Sequence, residues 1–442
     1  MIVWQNHRTF AAEKSKTIMM RRIILGLMLL PIAVQAQTLE ECQQAAEKNY
    51  PLIRQYDLIS KTTDLTIANI GKGWLPQVSA SAQATWQSDV VAWPDQMKTV
   101  YQQMGLDMKG LKKDQYKIGI DVSQMVFDGG TIHSKREIAR QKGAVDEAQT
   151  EVTMYQVRRR VNEMYFGLLL LDEQIRLNAD LQELLSSSEK KLSAMFQRGT
   201  AAESDYQAVK AERLNVRQQG VSLQSQRRSL ATVLSAFCGI EVKTVEKPAL
   251  TVAVAQQQTG LRPELKAIDA QLRLTDAQEK SLNAALMPKL SLFASGFYGY
   301  PGYNMFEDMM SHDWSLNGMI GARLQWNIGA LYTRKNDKTK LNLQRSMFNV
   351  QRDVFLFNNN LEQIQQNENI ERYRQQMNDD EEIISLRSAV RKAAESKLSH
   401  GIIDVNDLMK EINAENGARV RQAMHEIEML KEIYDLKFTT NN

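Results

Sequence analysis

The chain has 442 residues, 43% of them hydrophobic and 24% charged, with a formal net charge of +3. That length allows a large core or two to three ordinary domains. The charge balance argues neither for nor against nucleic acid, and none is expected as a partner. With only 22 glycines and 8 prolines the composition is that of a helix-rich chain.

Near the start, Arg21 and Arg22 precede an apolar run from Ile23 to Val34, which closes Val34-Gln35-Ala36. A basic start, a short apolar stretch and small residues before a cut describe a secretory leader. Residues 1–36 are therefore expected to be an N-terminal extension and leader, with translation starting at Met19 or Met20 and cleavage after Ala36. The run is too short to span a bilayer as a helix, and no later stretch is long and apolar enough. The exported chain must then be soluble or cross a membrane as strands. Cys42 follows two glutamates, unlike an acylated cysteine at a cleavage site. Cys42 and Cys238 are either bridged in an oxidising compartment or two unbridged helix cysteines; spacing leaves both open.

Prolines 51, 76, 263 and 288 punctuate two zones, while 95–247 and 302–442 contain none. Proline costs about 3 kcal/mol inside a helix and glycine about 1, so the unpunctuated stretches can hold very long helices. The two zones superpose at one offset: Pro51, Pro76, Asp57, Thr63 and Asp64 fall on Pro263, Pro288, Asp269, Thr275 and Asp276. At a slightly shorter offset Lys190, Gly199, Asp205 and Arg217 fall on Lys392, Gly401, Asp407 and Arg419. This is an internal duplication, with a first repeat over 37–248 and a second over 249–442. Each reads helix, strand, strand, very long helix, turn, helix.

The first repeat is expected to have strands at about 78–91 and 115–127, a long helix at about 131–198 and a return helix at about 203–237. The second has strands at about 289–300 and 315–328, a long helix at about 331–399 and a return helix at about 405–437. The strands alternate apolar and polar residues, most clearly Leu316, Ile320, Ala322, Leu324 and Trp326 against Asn317, Arg323 and Gln325. Strands of about ten residues suit a tilted membrane span with one face on lipid and one on water. A soluble sheet with one wet face has the same alternation; the leader and the long helices decide for the membrane. Trp86, Trp93, Tyr298, Tyr300, Tyr303 and Trp314 near the strand ends fit an interfacial girdle. Each long helix would measure roughly 100 Å, so its apolar seam needs neighbouring helices in coiled-coil contact. Gly143 and Gly167 are expected at close helix approaches. Residues 262–287 are expected to extend the first return helix end to end, and residues 39–73 the second. Four strands cannot close a pore, and an open sheet edge is not tolerated in lipid. Three copies give twelve strands, closed cyclically.

The motifs now stand in order. They are Thr38-Leu39-Glu40-Glu41, Trp74-Leu75-Pro76, Val126-Phe127-Asp128-Gly129-Gly130, Gly199-Thr200-Ala201-Ala202-Glu203-Ser204-Asp205 and Gly401-Ile402-Ile403-Asp404-Val405-Asn406-Asp407. Over nearly all of 38–438 the chain resembles the TolC-type outer-membrane efflux family. The resemblance implies a mainly α fold with transmembrane β. It also implies a homotrimer whose twelve-stranded barrel, four strands per protomer, continues into a long periplasmic α-helical barrel. Such a protein sits in the outer membrane of a Gram-negative bacterium as the exit duct of a tripartite efflux pump or type I secretion system. Its expected partners are a periplasmic adaptor, an inner-membrane pump and the lipid bilayer. The resemblance makes Pro76, Asp128, Gly129, Gly130 and Pro288 strand–helix junctions. It places Gly199, Asp205, Gly401 and Asp407 at the periplasmic tip and gate, with Arg198 and Lys410 beside them. Either aspartate also reads simply as a favourable charge at a helix N-terminus. The chain departs from the family pattern where Ile403 stands for the gating arginine, Leu398 for its tyrosine and Lys410 for a second ring aspartate.

No catalytic site, cofactor or metal is expected. The histidines lack metal-protease spacing, no glycine loop fits a phosphate, and Ser187-Ser188-Glu189-Lys190 on a charged helix reads as coincidence. Met305, Met309, Met310 and His312 on an outer loop could offer soft ligands to copper, although loop methionines more often pack. The competing reading of the whole chain is a periplasmic coiled-coil adaptor or scaffold.

Overall fold

The computed structural model describes residues 36–106, 109–249 and 262–441; the basic and apolar stretch 21–34, read as part of a leader, lies outside them. In chain order the elements are α1 (Leu39–Asn49), α2 (Ile53–Gly71), a 3-10 turn (Lys72–Trp74), β1 (Gln77–Trp86), α3 (Asp95–Gln103), β2 (Asp114–Phe127), α4 (Thr131–Gln197) and α5 (Glu203–Cys238). Then follow α6 (Pro263–Ala285), β3 (Lys289–Tyr300), α7 (Met305–Ser311), β4 (Ser315–Gln325), α8 (Ala330–Ser399) and α9 (Val405–Thr440). The proline-free stretches are occupied by α4, of 67 residues, and α8, of 70. Glycine sits within α4 where a neighbour leaves no room. A Cβ at Gly143 would lie 2.4 Å from the Thr63 hydroxyl of α2, and one at Gly167 would lie 3.1 Å from Leu230 of α5.

Contacts divide the chain into two compact units. One comprises the residues up to Asn49, Arg160–Val252 and Asn369–Tyr434; the other comprises Tyr50–Arg159, Ala253–Glu368 and the residues from Asp435. The first is helical and contains the turns at Gly199 and Gly401. The second contains the four-stranded sheet and the helix ends that flank it.

Four expectations are corrected. β1 ends at Trp86, not near 91: Asp89 turns its carboxylate to the Val90 N–H (2.9 Å), and Pro94 then opens α3. β4 ends at Gln325, not 328, because Asn327 and Ile328 already accept the Ala330 and Leu331 N–H groups that start α8. The helix expected over 39–73 is broken around Pro51, which has no N–H to give an α-helix, into α1, α2 and the 3-10 turn. The end-to-end pieces are exchanged. Asn49, closing α1, donates to the Ala236 and Phe237 carbonyls of α5, both at 3.1 Å. Arg262, just before α6, donates to the Phe438 and Thr439 carbonyls of α9 at 2.9 and 3.1 Å. The last carbonyls of a helix need partners from outside it, and apolar periodicity does not encode which side chains supply them.

The sheet has the order β1-β2-β3-β4, antiparallel throughout. Its register aligns Val78, Val122, Ala294 and Ile320 in one cross-strand row, and Ala82, Ile118, Tyr298 and Leu316 in another. The face they share carries no charged residue between those two rows. Side chains alternate faces along a strand, so the opposite face takes Ser81, Gln83, Lys117, Asp121, Ser295, Asn317 and Arg323.

Candidate functional site

On the charge-free face the apolar side chains are bare: Ile320 is 85% exposed, Leu316 82%, Val78 67% and Ile118 60%. Water does not tolerate so large an apolar patch over a whole sheet; hydrocarbon does. Aromatic rings stand at both ends of it. At the loop end Trp314 lies 5.4 Å from Tyr298 and stacks on Tyr116 at 6.1 Å, with Trp86 exposed nearby in the register. At the helix end stand Trp74 and Trp326, the latter donating its indole N–H to the Leu286 carbonyl (2.9 Å). Such rings match the two headgroup levels. Three expected girdle members are absent from it: Tyr300 is buried, Trp93 packs with it beneath the loop helices, and Tyr303 packs edge-on against Phe297 of the opposite face. The opposite face has its own aromatics, each under a cation: Lys117 lies over Phe297 and Arg323 over Phe293. Among the described residues, β1 and β4 each have a bonded neighbour on one side only.

The junction residues are built into the turns between strand and helix. Pro76 and Pro288 immediately precede β1 and β3. Asp128 is buried and caps α4: its carboxylate accepts from the Gly130 N–H (2.8 Å) and the Ile132 N–H (2.5 Å). Gly129 has φ +66° and packs so tightly that a Cβ would fall 2.5 Å from that of Met287.

The two tip turns have one construction. Gly199 and Gly401 take φ +72° and +71°. The N–H of Thr200 returns to Met195 and that of Ile402 to Lys397, each at 2.9 Å, which closes each long helix with a left-handed glycine cap. Asp205 and Asp407 then occupy the third positions of α5 and α9. The cap of α9 is Asp404, whose carboxylate accepts the Asp407 N–H at 2.9 Å; it stands in the quoted motif but its capping role was not read from the sequence. Asp205 is half-buried, while Asp407, Lys410 and Arg198 are exposed. Among the described residues no hydrogen bond or ion pair joins these four to one another. What unites the turns is apolar. Leu181, Leu185, Val209, Ala394, Val405, Leu408 and Ile412 form one buried cluster drawn from all four helices, and Leu398 and Ile403 pack against it. Leu398 and Ile403 thus belong to an apolar seam.

Farther from the turns, Glu415 is buried between Arg391 and Arg419. Burial raises its pKa, but the hydrogen bonds and charges of the two arginines outweigh that and hold it below the ordinary carboxylate value. The Ser187–Lys190 stretch is engaged structurally: Ser188 donates to the Leu184 carbonyl and Glu189 pairs with Arg213. On the loops, Met309 is buried against Leu111 and Tyr300, and the His312 Nε2 lies 2.5 Å from the Gly110 carbonyl. These are packing roles. Among the described residues no group of three or more His, Cys, Asp or Glu side chains could hold a metal ion.

A sheet with one bare apolar face, together with helices of this length, has the features expected of a barrel-and-helix membrane channel. The family model described as outer membrane efflux protein matches residues 43–239. No curated protein matches the chain. Among solved structures it is similar to the outer-membrane channel OprN, with TM-score 0.67 and 15% identity over 91% of this chain and 89% of that one. It is also similar to the CmeC outer membrane channel of Campylobacter jejuni (0.64, 13%, 91% and 85%). The open state of the MtrE outer membrane channel of Neisseria gonorrhoeae is comparable (0.63, 14%, 91% and 89%).

Proposed function

We propose that three copies close into a twelve-stranded barrel continued by a periplasmic helical barrel, the passive exit duct of a tripartite efflux pump or type I secretion system. An adaptor and an inner-membrane pump supply selection and energy. The observation that carries this is the charge-free, exposed sheet face bounded by two unpaired edges: lipid covers the face, and β1 of one copy meets β4 of the next. A second feature asks for the same neighbour. Leu343, Met347, Val350, Val354, Phe357, Leu361 and Ile364 on α8 alternate four and three apart and are between 49% and 63% exposed. That is a coiled-coil seam left uncovered by the described residues of its own chain. Each tandem repeat, 37–248 and 249–442, gives two strands and one helical hairpin to this assembly. An adaptor or scaffold has no use for a lipid-facing sheet.

Gly199, Asp205, Gly401 and Asp407 form the periplasmic entrance, with Arg198 and Lys410 beside it, and Asp205 and Asp407 help to keep it closed. Outer-membrane fractionation, a heat-modifiable trimer on gels and conductance in planar bilayers test the duct. Alanine at Asp205 and Asp407 together should raise conductance; an unchanged value removes them from the gate.

A further inference from the structure

We propose that Cys42 and Cys238 are joined by a disulfide when the chain is exported, a covalent clasp between the start of the mature protein and the end of α5. Cys42 lies on α1 and Cys238 is the last residue of α5; they are 0% and 2% exposed. The Cys238 Sγ sits 3.4 Å from the Cys42 carbonyl oxygen. Both are free thiols in this structure.

The surroundings already hold the N-terminal segment in place without the bond. Asn49 caps the end of α5. Gln37 pairs with Val245 in a parallel bridge. The Tyr165 hydroxyl lies between the Gln37 and Glu246 carbonyls, at 2.8 and 2.6 Å, able to donate to one at a time. That framework holds the two cysteines side by side, the Cys238 thiol against the Cys42 backbone. They are separated by 196 positions, so the crosslink would close a long loop of the unfolded chain, the case in which chain entropy favours a disulfide most.

The step balances as thiol–disulfide exchange. One cysteine, as thiolate, attacks an exchangeable disulfide of a periplasmic protein oxidant, and the other displaces the mixed disulfide. One S–S bond forms in the chain, and two electrons and two protons leave with the oxidant as a dithiol. Because both sulfurs are shielded in the fold, exchange precedes the seating of α1 on α5.

The proposal rests on the export reading, and fractionation separates the two. Chain recovered from outer membranes is denatured and treated with iodoacetamide before and after reduction, then weighed intact. No label before reduction and two after it support the disulfide; two labels without reduction on outer-membrane chain overturn it. Chain absent from the outer membrane contradicts the export reading on which it stands. As a measurement independent of location, purified reduced chain refolded in a glutathione redox buffer should lose both thiols, and retention of both overturns the proposal.

Discussion

Replacing Ile412 with alanine should loosen the tip while leaving the trimer folded. The side chain is 1% exposed within the apolar cluster shared by the hairpins α4–α5 and α8–α9. In the proposed duct the entrance opens by separation of those hairpins, so contacts made by Ile412 should belong chiefly to the closed state. Isoleucine-to-alanine changes in cores cost about 2–5 kcal/mol. The low end applies here, because Ile412 borders an existing groove of about 460 Å³ lined by Leu177, Leu181 and Leu184, where packing is already incomplete. About 2 kcal/mol taken from the closed state shifts the closed-to-open ratio roughly 30-fold. Single-channel recording gives the open occupancy, and the thermal midpoint of the trimer reports whether the fold survives. A variant with a lowered midpoint and wild-type occupancy would refute the reasoning, since the cluster would then be kept equally in both states.

On the sheet, Ile320→Lys puts a charge on the bare apolar face and should cost about 2–4 kcal/mol at the bilayer midplane, whereas Asn317→Lys on the opposite face should be tolerated. Yield of heat-modifiable trimer distinguishes the two, and equal yields would mean that the face does not meet lipid. The buried Glu415 sets a pH dependence. Its pKa in the fold is depressed by Arg419 and Arg391 against the opposing effect of burial. A depressed carboxyl stabilises above its unfolded pKa, about 4.3, and that contribution is lost as pH falls through the lower folded value. The thermal midpoint should therefore hold from neutral pH down to about 5 and drop below about 4, with a shallower drop in Glu415→Gln.

The sequence makes the long helices and strands legible for a physical reason. Absence of proline and glycine permits a rod such as α8, and strict alternation, as in Leu316–Trp326, marks a strand with two different faces. The short loop helices were missed even though their signals are present. Pro94-Asp95 is a helix start, and Asn304 and Glu307 exchange hydrogen bonds as a cap for α7. A seven-residue helix is simply too brief for periodicity to register. The end-to-end pairing was misread because both candidate pieces are amphipathic; only the reach of the Asn49 and Arg262 side chains to particular carbonyls selects the partner. At the tip, Gly199 and Gly401 announce left-handed caps, whereas a buried cluster assembled from four helices far apart in the chain has no local signature.

That cluster bears on how the entrance is held. A clasp of arginine, tyrosine and aspartate acts through exposed charge, and salt weakens it: the Debye length falls from about 10 Å at 0.1 M to about 3 Å at 1 M. With Ile403 and Leu398 packed on the seam and Lys410 in place of an aspartate, the proposed closure should draw most of its free energy from apolar contact, which salt does not screen. Asp205 and Asp407, as third residues of their helices, add only about 0.3–1 kcal/mol each through the helix dipole. Open occupancy should therefore change less between 0.1 and 1 M salt, roughly the limits just considered, than it does on Ile412→Ala at fixed salt. An occupancy that climbs with salt as steeply as it does with that substitution would place the closure in the charges after all.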